Sequence, residues 1–373
     1  MQPLSKPLLP SHFQTWCEPP DDSGDEILRI VSTRRSLTLK GHSFREFHRH
    51  VLPLLDGQHS LDDICAKTSD VFNRADLESA LMLLGQQHIV VEGDGLAVLG
   101  ANNSRLAPQL NYFHEVAEEG RAAQNRLTKA RVVVFGLSGA GPGVLLSLSA
   151  TGIGRVVGVD DSAVSAADTY LSPVLATSDI GRSRADVLAE HIGANAPEIL
   201  PEFVITRPDT EEDIAAIVDG ADFVVSGLDA GLLNLSYKLN RVCRAKNIRW
   251  ISGELCGAEV IVGPAFYHGS GPCYMCYRMR TVACAGNPQT SFAQERHLDK
   301  LKIDLSERRE TLVFGAGILA NMLGVEVMNV LTGLADPVLS GRLIAIDLMT
   351  LRQQKHVVLR KPSCPSCLEH NNK

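Results

Sequence analysis

Four cysteines stand in two Cys-x-x-Cys pairs, Cys273 with Cys276 and Cys364 with Cys367. Four thiolates at that spacing can close a tetrahedral shell around one Zn²⁺, or act as two redox dithiols. The pairs lie 88 residues apart, Cys276 to Cys364, and each follows a Pro-containing stretch, Gly271-Pro272 or Lys361-Pro362-Ser363, that reads as loop. Pairs that follow a strand or loop favour zinc knuckles over a helical redox motif, so a structural zinc site of four cysteines is expected, its loss destabilising the fold rather than stopping chemistry. Redox dithiols and coincidental core thiols are the alternatives. The other five of nine cysteines, Cys17, Cys65, Cys243, Cys256 and Cys284, are scattered.

A second chemistry lies at 136–143. An apolar run at 131–135 reads as a buried strand, and it ends in a turn containing Gly136, Ser138, Gly139, Gly141 and Gly143, with a helix expected over 144–151. Backbone amides and a helix dipole converging on one point make a phosphate site, and a Cβ there would block the phosphate's approach. Asp160 follows 24 residues after Gly136, at the end of the next strand, where a carboxylate can hold ribose hydroxyls. A nucleotide-binding βαβ unit is the reading; a purely structural glycine turn is the alternative. The glycine signal alone leaves NAD and ATP both open.

Weaker candidates read as structural. Cys284 follows the first knuckle and is a plain thiol, a thioester nucleophile being the sharper alternative. Glu254, beside Cys256 after a strand end, reads as a solvated loop acid before a general base. His48 and His50 alternate with Arg45 and Arg49 on an amphipathic helix, and Glu115, Glu118 and Glu119 read as a solvated helix face.

The elements that must position these groups divide the chain into a small and a large part, within the range that 373 residues allow. Residues 1–24, rich in proline, read as an irregular arm. Residues 25–100 show a hairpin over 27–39, then helical patterns in 44–55, from Ser60 through Ile64, and over 75–84, then a closing hairpin at 89–98: a winged-helix plan. Ser60 with Asp63 has the form of a capping box. Residues 101–130 are polar, helical and connecting. Beyond them strands are expected at 203–205, 223–226, 249–252, 259–263 and 343–346, with an apolar helix over 316–331. Aromatic residues at 5% and 31 glycines suit a parallel α/β sheet.

Composition excludes whole classes. Hydrophobic residues at 45% and charged residues at 21% exclude a disordered chain or a coiled coil. A net charge of −7, from 36 basic and 43 acidic residues, argues against general nucleic-acid binding. No uninterrupted apolar run reaches about 18 residues and no signal peptide is visible, so neither a membrane span nor export is expected and the protein reads as cytoplasmic.

The glycine loop, Asp160, the 223–229 run ending in Asp229, and the four late cysteines together resemble the ThiF/MoeB/E1-like adenylating enzymes, over about residues 105–370. The resemblance implies a Rossmann-like adenylation domain that uses ATP and Mg²⁺ to turn a carboxylate into an acyl adenylate. It implies nucleotide contacts by Gly136, Ser138, Gly139, Gly141 and Asp160, Mg²⁺ on Asp229, and zinc on Cys273, Cys276, Cys364 and Cys367. The chain departs from the family at Ser138, where the family has Gly, at Asp168 and Leu171, where it has Asn-x-x-Arg, and at Arg184, where it has Lys. Arg182 or Arg184, or Arg105 or Arg121 from a partner subunit, are the candidates to replace the missing catalytic charge.

Residues 25–100 resemble the PqqD-like peptide-recognition elements of enzymes that modify ribosomal precursor peptides, which bind a leader as an added strand beside a helix. A dimerisation winged helix is the plainer alternative. The two resemblances together imply a homodimeric peptide-modifying enzyme of the microcin C7 or pantocin maturation type. The layout is closer to the pantocin type, in which activated glutamate side chains cyclise. A ThiF-like protein that only delivers a leader to a separate enzyme, and an NAD-dependent dehydrogenase, are the rivals. An acidic protein that binds ATP and an acidic peptide needs a local basic patch, expected at Arg34, Arg35, Arg182 and Arg184.

Overall fold

The computed structural model describes residues 4–20, 22–93, 105–117, 120–226, 233–267, 269, 271–301 and 310–368. Contacts gather into two compact units, residues 1–124 and 125–373.

In the first unit, strands β1 (Pro7–Leu8), β2 (Gln14–Glu18), β3 (Glu26–Val31) and β4 (Ser36–Gly41) precede the helices, and β5 (Val91–Glu92) follows them. Strands β2, β3 and β4 form an antiparallel meander. The expected hairpin is β3–β4, closed where the Ser32 amide donates to the Arg35 carbonyl at 2.8 Å. Leu28 and Ile30 alternate along β3 and are fully buried, the period-2 pattern of a half-buried strand. The stretch 1–24, expected as an irregular arm, instead carries two strands: β2 completes the meander and β1 pairs with β5. Its prolines misled because a strand's first residue and a sheet edge both tolerate proline, while Leu8 and Phe13 are buried in the core. The closing hairpin can be followed only in its first arm. Its first arm, β5, takes β1 as partner, and residues 96–98 lie outside the described residues.

Three helical stretches cover the meander. Helix α1 (Phe44–Glu46) continues through a π-turn at Phe47–Val51, then α2 (Leu61–Thr68) and α3 (Arg74–Gln86) follow. The capping box opens α2 as expected: the Asp63 amide donates to Ser60 Oγ at 3.1 Å and the Ser60 amide to Asp63 Oδ2 at 2.9 Å. Leu77, Leu81 and Leu84 place one stripe of α3 in the core with Leu28, Ile30, Val51 and Ile64. Helices α4 (Ala107–Val116) and α5 (Gly120–Leu127) complete the run.

The second unit alternates strand and helix: β6 (Arg131–Phe135), α6 (Gly141–Ala150), β7 (Arg155–Val159), α7 (Ala166–Leu171), α8 (Arg184–Asn195), β8 (Glu202–Val204), α9 (Glu211–Ile217), β9 (Phe223–Ser226), α10 (Leu233–Ala245) and β10 (Arg249–Cys256). These five strands are parallel, in the order β10-β9-β6-β7-β8. Then come β11 (Glu259–Phe266), α11 (Tyr274–Cys284), α12 (Pro288–Leu301), α13 (Val313–Thr332), β12 (Arg342–Asp347), β13 (Gln353–Val357) and α14 (Pro365–Leu368). β11, β12 and β13 extend the sheet antiparallel beyond β10, to eight strands. The result is a Rossmann-like α/β unit on a mixed sheet; the first unit is a small one of antiparallel strands and helices.

Helix α13 is, among the described residues, the one long and apolar enough to cross a membrane, although Asn321, Glu326 and Asn329 interrupt it. It is a core helix here. Leu319, Leu323 and Val327 are fully buried, and buried Glu326 accepts the amides of Val338 and Leu339 at 3.2 and 2.8 Å. A Cβ on Gly143 would lie 2.8 Å from Ala320 Cβ, so this glycine serves the packing of α6 against α13.

Candidate functional site: a glycine loop with buried carboxylates, and a four-cysteine centre

Strand β6 ends at Phe135, and Gly136 (φ +83°) and Gly139 (φ +57°) adopt left-handed backbone in the turn that follows. A side chain is strained in that region. Helix α6 starts at Gly141, earlier than the expected 144, so Gly141 and Gly143 form its first turn; no side chain caps it. Gly141 donates its amide to the Ser138 carbonyl at 2.9 Å and Pro142 has no N–H, so within this first turn Gly143 carries the amide that an anion could use.

Asp160 follows β7 directly and is buried. Its Oδ2 accepts the Leu137 amide at 2.7 Å, and its Oδ1 accepts the Ser162 amide at 2.7 Å. One carboxylate thereby fixes the glycine turn to the end of the neighbouring strand. Arg184, the first residue of α8, is 2% exposed. Its guanidinium reaches Asp160 Oδ2 at 3.4 Å and Asp168 Oδ2 at 2.8 Å. Asp168 is also buried: its Oδ1 accepts from Ser138 Oγ at 2.9 Å, and its Oδ2 accepts the Ser165 amide at 2.8 Å, capping α7.

The structure therefore brings Gly136, Ser138, Gly139, Gly141, Asp160 and Arg184 into one place and adds Asp168, noticed in the sequence only as a departure. Arg182 does not join them. It is exposed and pairs with Asp179 at 2.9 Å and Glu190 at 2.6 Å. Leu171 ends α7 and is buried. Asp229 lies outside the described residues, but β9 ends at Ser226, three residues before it. β9 and β7 flank β6 on opposite sides, so the glycine turn leaves the sheet where the strand order reverses, the usual ligand position in such sheets.

The four cysteine Sγ atoms lie within 4.8 Å of one another, all buried. Individual separations are 3.6 Å for Cys273–Cys364, 3.6 Å for Cys276–Cys367 and 3.4 Å for Cys273–Cys367. Bonds of about 2.3 Å in a tetrahedron put thiolates roughly 3.8 Å apart, so these residues fit zinc. Each pair follows a loop, as expected, but the pairs themselves stand at helix starts: Cys273 caps α11, Cys276 lies in its first turn, and Cys367 is in α14. Burial raises the Cys276 pKa, but amide donors, among them Lys361 N–H at 3.3 Å, bring it below the ordinary thiol value. Asn240, which the sequence did not flag, ties the two halves together by accepting the Tyr274 amide at 2.9 Å and donating to Ser366 Oγ at 2.9 Å. Burial pushes the Cys243 thiol up to about 12, and Cys256 is raised by burial, Glu254 and Glu259. Glu254 and Cys256 belong to β10 itself, not to a loop after it.

In the first unit, β4 pairs with β3, and no other described strand pairs with β4. Glu115 is no solvated acid: it accepts from Ser32 Oγ and from the Arg34 amide, both at 2.7 Å, fastening α4 to the β3–β4 turn. Glu118 and Glu119 lie outside the described residues. Arg35 donates to the His88 carbonyl at 2.8 Å and Arg121 to the Glu92 carbonyl at 2.8 Å. His48 Nε2 lies 3.2 Å from Thr15 Oγ1, and His50 pairs with Glu46 at 3.0 Å, so neither faces a metal cluster. On α3, Arg74 is neutralised by Asp62 and Glu78 at 2.6 and 2.7 Å, which leaves this helix without a free cation for phosphate.

The profile of the ThiF family matches residues 106–366. The chain belongs to the ThiF family. Within it, the chain is 28% identical over 271 residues to the SAMP-activating enzyme E1 of Haloferax volcanii, covering 70% of this chain and 90% of that one. It is 26% identical over 268 residues to the sulfur carrier protein adenylyltransferase of Thermus thermophilus, covering 69% and 91%. Among solved structures, Escherichia coli MccB with ATP superposes at a TM-score of 0.64 with 16% identity, covering 97% of this chain and 99% of that one. PaaA superposes at 0.64 with 17% identity, covering 94% and 99%. At these identities the likeness to the ThiF-family chain is one of fold, and it extends over the first unit as well as the second.

Proposed function

We propose that this ThiF-family chain adenylates a carboxylate, a glutamate side chain in the pantocin-type reading, of a ribosomally made precursor peptide. The observation that carries the reading is the coincidence of the glycine turn, Asp160 and the strand-order reversal with a whole-chain likeness to MccB, a protein solved with ATP and with MccA. ATP lies with its phosphates over the 136–143 turn and its ribose toward Asp160. A carboxylate oxygen of the peptide attacks the α-phosphorus, the α–β anhydride bond breaks, and pyrophosphate leaves. A nucleophile of the same peptide then displaces AMP, closing a ring. Adenylation serves because a carboxylate is a poor electrophile, while the enzyme contributes positioning and charge neutralisation.

Mg²⁺ on Asp229 would neutralise phosphate charge. Zinc on Cys273, Cys276, Cys364 and Cys367 would clamp the C-terminal segment to α11. The leader adds as a strand to the meander, whose outer strand β4 carries half-buried Leu37 and Leu39. The chain works in the cytoplasm as a homodimer, for which light scattering reads about twice the 40.4 kDa chain mass.

A second reading, a leader-binding protein without adenylation, is favoured by buried Leu171 and by the pairing of Arg184 with two carboxylates. ATP–pyrophosphate exchange separates the two. With its precursor peptide, the wild type catalyses peptide-dependent exchange and Asp229→Asn loses at least about 100-fold. No exchange by the wild type, or unchanged exchange in Asp229→Asn, sinks the adenylation reading.

A further inference from the structure

The carboxylate of Asp168 holds two groups that a nucleotide site would otherwise direct at phosphate. Its Oδ1 accepts a hydrogen bond from Ser138 Oγ at 2.9 Å, inside the glycine turn, and its Oδ2 accepts from two donors of Arg184, Nε at 2.9 Å and Nη2 at 2.8 Å. With Asp160 facing the same guanidinium at 3.4 Å, this buried cluster sets, among the described residues, two carboxylates against one cation. Such a surplus repels an anion, and the low polarity around it weakens screening.

We propose that Asp168 is an electrostatic brake on this site, holding its affinity for a nucleotide's phosphates below what the turn and Arg184 would otherwise give. The proposal rests on the reading of 136–143 as a nucleotide turn. Asparagine is the informative exchange because it keeps the shape and reverses one hydrogen bond. Its carbonyl oxygen still accepts the Ser165 amide that caps α7 and still faces Arg184. Its Nδ2 donates to Ser138 Oγ, so the serine hydroxyl proton turns free to meet a phosphate oxygen. Asp160 and Arg184 then balance one to one.

The test is calorimetric titration of Mg-ATP into the full-length, zinc-loaded protein. Asp168→Asn is expected to lower Kd about tenfold, the order that one formal charge near an anion commands in a partly screened interior, while the thermal midpoint stays within a few degrees. A folded Asp168→Asn whose Kd is unchanged or higher overturns the proposal while leaving the nucleotide reading intact. If neither wild type nor variant binds Mg-ATP, the nucleotide reading fails and the brake with it. Should the asparagine variant not fold, Asp168→Ser, which keeps an acceptor for the Ser165 cap, is expected to move Kd in the same direction. If that variant also fails to fold, Asp168 is a structural counter-ion and the brake is refuted.

Discussion

Cys276 and Arg184 mark the two limits of what single residues disclose. The cysteines were legible because metal ligation needs only residue type and spacing, and the fold then brings four buried sulfurs within 4.8 Å. Their loss should be structural: Cys276→Ser is expected to drop zinc from about one ion per chain by elemental analysis and to lower the thermal midpoint markedly, because metal binding is coupled to folding. Retained zinc with an unchanged midpoint would contradict a ligand role. The carboxylate cluster was only half legible. Asp160 could be placed from the strand it ends, but the partners of Asp168 stand 30 residues away at Ser138 and 16 away at Arg184, and no local pattern links them. Arg182 and Arg184 looked equivalent in sequence. Ser183 caps α8 between them, so Arg184 enters the core and Arg182 faces its surface partners.

Periodicity made some elements readable and left others silent. Strands β6, β7 and β9 are apolar runs buried on both faces, and α13 is a long apolar helix, so each announced itself. All five residues of β13 are exposed, leaving no alternation to find. The first 20 residues were hidden by their prolines, although β2 pairs with β3 along its length and Leu8 and Phe13 are buried. Removing residues 1–20 is therefore expected to destabilise the first unit by several kcal/mol, since burial of each such side chain contributes about 1.5–3 kcal/mol. Thermal unfolding of the truncated chain checks this. An unchanged midpoint would mean that the segment is the dispensable arm its composition resembles.

At the scale of the whole molecule, two compact units carry separate tasks in the proposed reaction: an antiparallel meander whose outer strand β4 pairs with β3 alone among the described strands, for a leader, and a Rossmann-like sheet whose strand-order reversal faces a glycine turn. The ThiF family profile covers most of the second unit, and the likeness to MccB extends over 97% of the chain. What sequence could not supply was the charge balance of the site, which only the buried pairing of Asp160, Asp168 and Arg184 reveals. That balance leaves the identity of the reaction as the deciding question. The most direct measurement is chromatographic identification of the nucleotide products when the full-length protein, Mg-ATP and the proposed precursor peptide are incubated together. Adenylation predicts AMP and pyrophosphate, formed only when the peptide is present; ADP and phosphate, or no turnover of ATP at all, would contradict it.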